Sequence, residues 1–212
     1  MISESITGAI LAGGPNTGMS GQHKALLMVG GETLIQRQIR IMREVCTEII
    51  VITNTPKPFF NLLDPSIRII TDYFPGHGPL GGIHAALYLA QSPSVWVVGC
   101  DMPLLSAEVA KRLLNSRTES CQSVVPIISS LPLPLHAIYD KRSAETASKL
   151  LADGEKGLSA FLESIKWLGI PVDNHSKDAG VYDFDYTFHN QDDFEYAQKI
   201  LATHDKDSSL VD

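Results

Sequence analysis

Chemistry-bearing side chains in this chain gather where apolar runs stop. The run Ile6–Leu11 ends in Ala12, Gly13 and Gly14, and a polar loop continues through Pro15, Asn16, Thr17, Gly18, Met19, Ser20 and Gly21. Consecutive glycines at a strand end let backbone N–H groups face an anion without side-chain obstruction. Lys24 follows and offers a cation for phosphate charge. No Gly-Lys-Ser/Thr triplet occurs, so the loop is not a Walker A turn. Asp101, within Cys100-Asp101-Met102-Pro103, stands just past the apolar stretch 95–99. A carboxylate there suits Mg²⁺, which takes one or two protein carboxylates plus substrate phosphate and water. Asp72 closes the run 67–71 in the same way. Each feature also has a plain structural reading, as a glycine-rich surface connection or a helix-capping aspartate. Ligands of open α/β sheets bind beyond the carboxyl ends of the strands. Three polar groups at three such ends therefore predict one shared site.

The elements that must position these residues alternate in type. Residues 6–11, 48–53, 67–71 and 95–99 read as strands. Thr33 caps a predicted helix over 34–45 with Ile35, Ile39, Met42 and Val45 on one face. Further helices are predicted over 80–90 and 107–114. Continuous apolar strands separated by helices imply a mostly parallel sheet covered on both faces. After Ser116 the pattern changes. Strands are predicted over 123–127, 133–139 and 167–172, and helices over 143–151, 157–164 and 191–202. Tyr182, Phe184, Tyr186 and Phe188 alternate with period two, which reads as one face of a strand. The predicted fold class is α/β: a Rossmann-like three-layer sandwich with a mostly parallel central sheet and a small mixed-sheet later part. It forms one domain over 1–203, followed by an acidic, loose tail over 204–212. Gly76-His77-Gly78-Pro79-Leu80-Gly81 matches GxGxxG, but Tyr73, Phe74 and Pro75 separate it from the preceding strand and Pro79 removes a backbone donor. It is a decoy for a dinucleotide turn.

Composition narrows the function classes. The chain has 212 residues, 44% hydrophobic and 19% charged, enough to bury a core. No apolar run approaches the ~18 residues a membrane helix needs, and the first residues carry no signal-peptide pattern. Lys and Arg total 17 against 24 Asp and Glu, a net charge of −7. The excess lies after Val172, where 10 acidic residues face 3 basic ones. The body is neutral, which argues against a nucleic-acid partner, and the acidic end serves solubility. Cys46, Cys100 and Cys121 lack metal-ligand spacing and read as reduced, buried thiols of a cytoplasmic protein. The seven histidines form no HExxH pattern, so no zinc site is expected.

Taken together the blocks have a family look. Leu11-Ala12-Gly13-Gly14, then Met19, then Lys24-Ala25-Leu26-Leu27, resemble the signature of nucleotidyltransferases of the molybdenum cofactor guanylyltransferase family. Gly78-Pro79-Leu80-Gly81-Gly82-Ile83 and Cys100-Asp101-Met102-Pro103 resemble two further blocks in the same order. Pro134-Leu135-His136-Ala137-Ile138-Tyr139 and Gly157-Leu158-Ser159-Ala160-Phe161-Leu162 resemble the later half. The resemblance covers roughly residues 7–162. It implies a nucleotidyltransferase-like domain that moves GMP from GTP to the terminal phosphate of molybdopterin, releasing pyrophosphate and forming the guanine dinucleotide cofactor. By the same resemblance the backbone at Leu11, Ala12 and Gly13 holds the nucleotide and Lys24 contacts its phosphates. Asp72 helps bind GTP, Asn54 touches the nucleoside, and Asp101 binds Mg²⁺. Cofactor-insertion proteins or acceptor molybdoenzymes are the implied recipients.

Two positions depart from the family pattern. Gly18 stands where an arginine usually precedes the methionine, and His23 where an acidic residue usually precedes the lysine. Losing the arginine removes a phosphate clamp, for which a positively charged His23 would compensate in part. These departures motivate an alternative reading as a weakly catalytic nucleotide-binding protein that delivers cofactor. A cytidylyltransferase of the same superfamily is the other alternative. The family's late Asn-rich segment is faint in Phe188-His189-Asn190-Gln191-Asp192-Asp193-Phe194, with Asn190 its only candidate pterin contact.

Overall fold

A computed structural model describes residues 5–14, 19, 21–173 and 183–208, with side chains described as far as Ala202. Gly18 and Tyr182, named above, lie outside the described residues, as do 209–212.

β-Branched runs make the strands and interrupted amphipathic runs make the helices between them. The order is β1 (Ile6–Leu11), β2 (Met28–Val29), β3 (Glu32–Thr33), α1 (Leu34–Met42), β4 (Glu48–Ile52), β5 (Arg68–Ile70), α2 (Gly78–Leu89), β6 (Ser94–Gly99) and α3 (Ala107–Asn115). Then come β7 (Ser123–Ile128), β8 (Leu131–Pro132), β9 (Ala137–Asp140), α4 (Ala144–Ala152), α5 (Leu158–Glu163), β10 (Trp167–Pro171) and α6 (Gln191–Ser208). Capping chemistry sets several starts. Gln36 Oε1 accepts from the Thr33 N–H at 3.0 Å, and Ser106 Oγ accepts from the Val109 N–H at 3.2 Å. α2 opens at Gly78 and Pro79, two residues before the predicted start, because proline suits the first helical turn.

The main sheet runs β10-β7-β9-β6-β1-β4-β5, with β8 paired to β7. β1 lies parallel to β4 on one side, Leu11 opposite Ile52, and parallel to β6 on the other, Leu11 opposite Gly99. β9 is antiparallel to β6 and β7, which makes the later part mixed. Alternate residues of each strand face opposite layers. Ile49 and Val51 pack with Ile35, Ile39 and Met42 of α1 and Val109 and Leu113 of α3. Ile50 and Ile52 pack with Leu80 and Ile83 of α2, Leu151 of α4 and Phe161 of α5. These are the three layers expected. A third cluster joins Leu27, Val29 and Leu34 to Phe188, Phe194 and Leu201, so α6 is anchored over the small β2–β3 sheet.

Three readings of the sequence need correction. The strand predicted over 133–139 starts only at Ala137, because His136 takes a φ of 70° that no strand accommodates. Phe184, Tyr186 and Phe188 do not form a strand. Phe184 and Phe188 are both buried, but in different clusters, along an irregular segment without a ladder partner among the described residues. The last helix runs to Ser208, so the residues predicted as a loose tail begin helical.

Candidate active site

Because β1 pairs with β4 on one side and β6 on the other, the strand order reverses around it, and a crevice opens at the carboxyl ends. A cavity of about 820 Å³ occupies that crevice. Leu11, Gly13 and Gly14 enter it from β1, Thr53 and Asn54 from β4, Asp72 from β5, and Asp101 from β6. Gly78 and Pro79 of α2, Lys24 and His189 complete the wall. The expected site residues thus meet in one cavity, with one difference. Ala12 is fully buried in the α1-side core, and its N–H donates to the Ile52 carbonyl at 2.8 Å. Its amide continues the β1–β4 ladder and has no donor left for a ligand.

Each carboxylate nests against a glycine. The Asp72 carboxylate accepts from the Phe74 N–H at 2.8 Å, while Asn54 Oδ1 accepts from the Asp72 N–H at 3.3 Å. A Cβ added at Gly81 would lie 2.6 Å from Asp72 Oδ2. At the other end, a Cβ at Gly99 would lie 2.6 Å from Asp101 Oδ1. The turn carrying Asp101 is held from behind by Gln38, a fully buried residue of α1. Its amide nitrogen donates to the carbonyls of Gly99 and Met102, both at 2.9 Å.

Lys24 Nζ lies 3.3 Å from Asp101 Oδ2 and donates to the Phe188 carbonyl at 2.8 Å. Among the described residues no group of three or more His, Cys, Asp or Glu converges on a metal position. The donor set therefore excludes an all-protein cage. It fits a hard cation that takes one or two carboxylates and completes its shell with phosphate and water. Cys100 also lines the cavity, but burial, with the Asp101 charge adding to it, pushes its thiol up to about 12. It stays protonated and is no nucleophile. His23 packs beside the site. Its Nε2 lies 2.8 Å from Thr55 Oγ1 and its ring packs edge-on against Phe59 at 5.2 Å. Burial holds its pKa below the ordinary histidine value.

A glycine turn, a lysine and two carboxylates thus meet around a switch-point crevice. Residues 8–169 match the family model of the MobA-like NTP transferase domain. The chain belongs to this family. Curated relatives include the molybdenum cofactor guanylyltransferase of Desulfosudis oleivorans, 31% identical over 77% of this chain and 79% of the relative. Another is the probable molybdenum cofactor guanylyltransferase of Carboxydothermus hydrogenoformans, 35% identical over 77% of this chain and 80% of the relative. The fold is shared with the crystal structure of molybdopterin-guanine dinucleotide biosynthesis protein A from Archaeoglobus fulgidus. That protein is 24% identical, with a TM-score of 0.78 over 93% of this chain and 99% of the other.

For a MobA-like NTP transferase domain, three residues at or behind this wall were not legible as such in the sequence. Gln38 carries no motif. Phe188 and His189 reach the site from beyond the matched domain. Asn190 was the named guess in that stretch, but its Oδ1 accepts from the Asp193 N–H at 2.9 Å and caps α6.

Proposed function

We propose that the chain transfers GMP from GTP to the terminal phosphate of molybdopterin, releasing pyrophosphate. The observation carrying this reading is the convergence of Gly13, Gly14, Lys24 and Asp101 on one cavity of nucleotide size. The names of its relatives supply the guanylyl and molybdopterin specificity. An oxygen of the acceptor phosphate attacks the α-phosphorus of GTP, a new P–O bond forms, and the α–β bridging bond breaks. The nucleophile is already an anion, so no strong general base is needed. The protein contributes positioning and charge neutralisation. The exposed Gly13–Gly14 backbone lets the triphosphate approach closely. The Lys24 ammonium offsets charge on the departing pyrophosphate. Asn54, at the end of β4, is the candidate contact for the nucleoside, and Asp72, at the end of β5, helps bind GTP. Asp101 is the carboxylate that would hold Mg²⁺. When bound, that ion supplies Lewis-acid polarisation and a template for phosphate oxygens.

The test is turnover with molybdopterin, Mg²⁺ and each of GTP, CTP, ATP and UTP, read as pyrophosphate release and as the dinucleotide product by chromatography. GTP should be preferred, and Asp101→Ala should lower the rate by roughly 10²-fold or more. A preference for CTP would make this a cytidylyltransferase. Undiminished turnover in Asp101→Ala would remove the metal role.

A further inference from the structure

We infer that Phe188 is the positioning residue for Lys24, and that the segment entering α6 acts on the site as an arm from outside the matched domain. The inference rests on the nucleotidyl-transfer reading only in giving Lys24 its task. The family match ends at residue 169, yet the nearest neutral partner of Lys24 lies in this later segment. The Phe188 carbonyl accepts from Lys24 Nζ at 2.8 Å, and the ammonium lies 5.2 Å from the centre of the Phe188 ring. The Phe188 N–H donates to the Asp101 carbonyl at 3.2 Å. One residue of the arm is thereby joined to both Lys24 and Asp101.

The arm is fixed at both ends. Phe184 packs against His136 with ring centres 4.8 Å apart, and Phe188 against Phe194 at 5.0 Å. Gln198 of α6 donates to the Met28 carbonyl at 3.0 Å. The peptide unit between Phe188 and His189 is itself held at both poles. Its carbonyl accepts from Lys24, and its N–H donates to Asp193 Oδ2 at 2.9 Å. A carboxylate on the N–H side polarises that peptide and strengthens its carbonyl as an acceptor. Lysine has a long, flexible stem and three ammonium donors. Among the described residues, Asp101 and Phe188 engage two of them and leave the third for a phosphate oxygen. Asp101 is also the proposed cation ligand, so the Phe188 contacts are the ones that do not compete with that role. An ammonium already aimed at the cavity needs no reorganisation when charge develops on the leaving group.

The experiment is trace acylation of the full-length protein with an amine-reactive ester, with modification at each lysine quantified by mass spectrometry. Phe188→Leu keeps an apolar anchor but removes the aromatic face. Asp193→Ala removes the carboxylate that holds the His189 N–H. Asp193→Asn retains an acceptor oxygen. Lys24 labelling should rise about fivefold in the first two variants and return towards the starting rate in the third, with other lysines unchanged. In transfer assays kcat should fall about tenfold in the first two, with little change in KM for the nucleotide. Unchanged Lys24 labelling in folded Phe188→Leu and Asp193→Ala would overturn the inference. So would a uniform rise at every lysine, which would mark Phe188 as packing alone. Labelling requires neither nucleotide nor acceptor, so its outcome is separable from failure of the transfer reading.

Discussion

The glycines around the cavity divide by what surrounds them. Among the described residues, a Cβ on Gly14 would meet nothing within 4 Å, and one on Gly13 only ordinary contacts at 3.9 Å. Neither residue is in the left-handed region. The fold therefore tolerates alanine at both, and their lack of a side chain serves whatever approaches them. Gly14→Ala should leave the melting temperature unchanged while weakening nucleotide binding about tenfold, as calorimetry would measure; equal affinity would separate this turn from the triphosphate. Gly81 and Gly99 are different, because each makes room for a carboxylate. Gly99→Ala should displace Asp101 and cost more in kcat than in stability, a comparison that needs one assay and one melting curve. At this scale His23 shows the limit of residue-type reasoning. Its charge depends on burial against Phe59, which no local pattern reports.

Among the elements, β9 and α3 meet through His136. This fully buried ring lies between Trp96 and Phe184, and its Nε2 accepts from the Ser106 N–H at 3.1 Å, where α3 begins. Desolvation by burial lowers its pKa from 6.5 to about 3, so the folded protein holds it neutral. In the window from about 6.5 down to about 3, the unfolded chain binds a proton that the folded chain does not. Stability then falls as pH falls, by about 1.4 kcal/mol per pH unit, and this contribution is flat above the window. His136→Gln keeps an acceptor for Ser106 and removes the titration. Denaturant unfolding at pH 6.5 and pH 4.5 should give a shallower acid loss in the variant. An identical slope would mean that the histidine is not buried neutral. Gln38 links α1 to the β6 turn in a comparable way, through two carbonyls that bracket Asp101.

The molecule as a whole is a sheet whose strand order reverses at β1, and the reversal puts four strand ends around one crevice. The C-terminal α6 then closes back over the small β2–β3 sheet and brings Phe188 to the crevice. A ligand bound across so many elements stabilises the folded state by mass action, about 2.7 kcal/mol at a hundredfold excess over Kd. GTP with Mg²⁺ should therefore raise the melting temperature more than GTP alone, and Asp101→Ala should lose that extra increment. The same metal-dependent shift in the variant would place the cation elsewhere.

Residue order alone carries what depends on near neighbours along the chain. Apolar period and β-branched runs set strand and helix alternation, and hence the parallel sheet. Placement at strand ends set Gly13, Asp72 and Asp101 as one group, with Lys24 in the loop after β1, and the family resemblance added Asn54. Tertiary structure decided what depends on residues far apart. Lys24 and Phe188 are separated by 164 positions, and no periodicity relates them. Phe184 and Phe188 look like a strand face because both are apolar and evenly spaced, but a strand needs a ladder partner, and the packed core offers two separate pockets instead. Ala12 keeps the right residue type for an anion turn, yet the neighbouring strand takes its amide first. A hydrogen-bonding group is spent on whichever partner the fold presents, and only the fold says which that is.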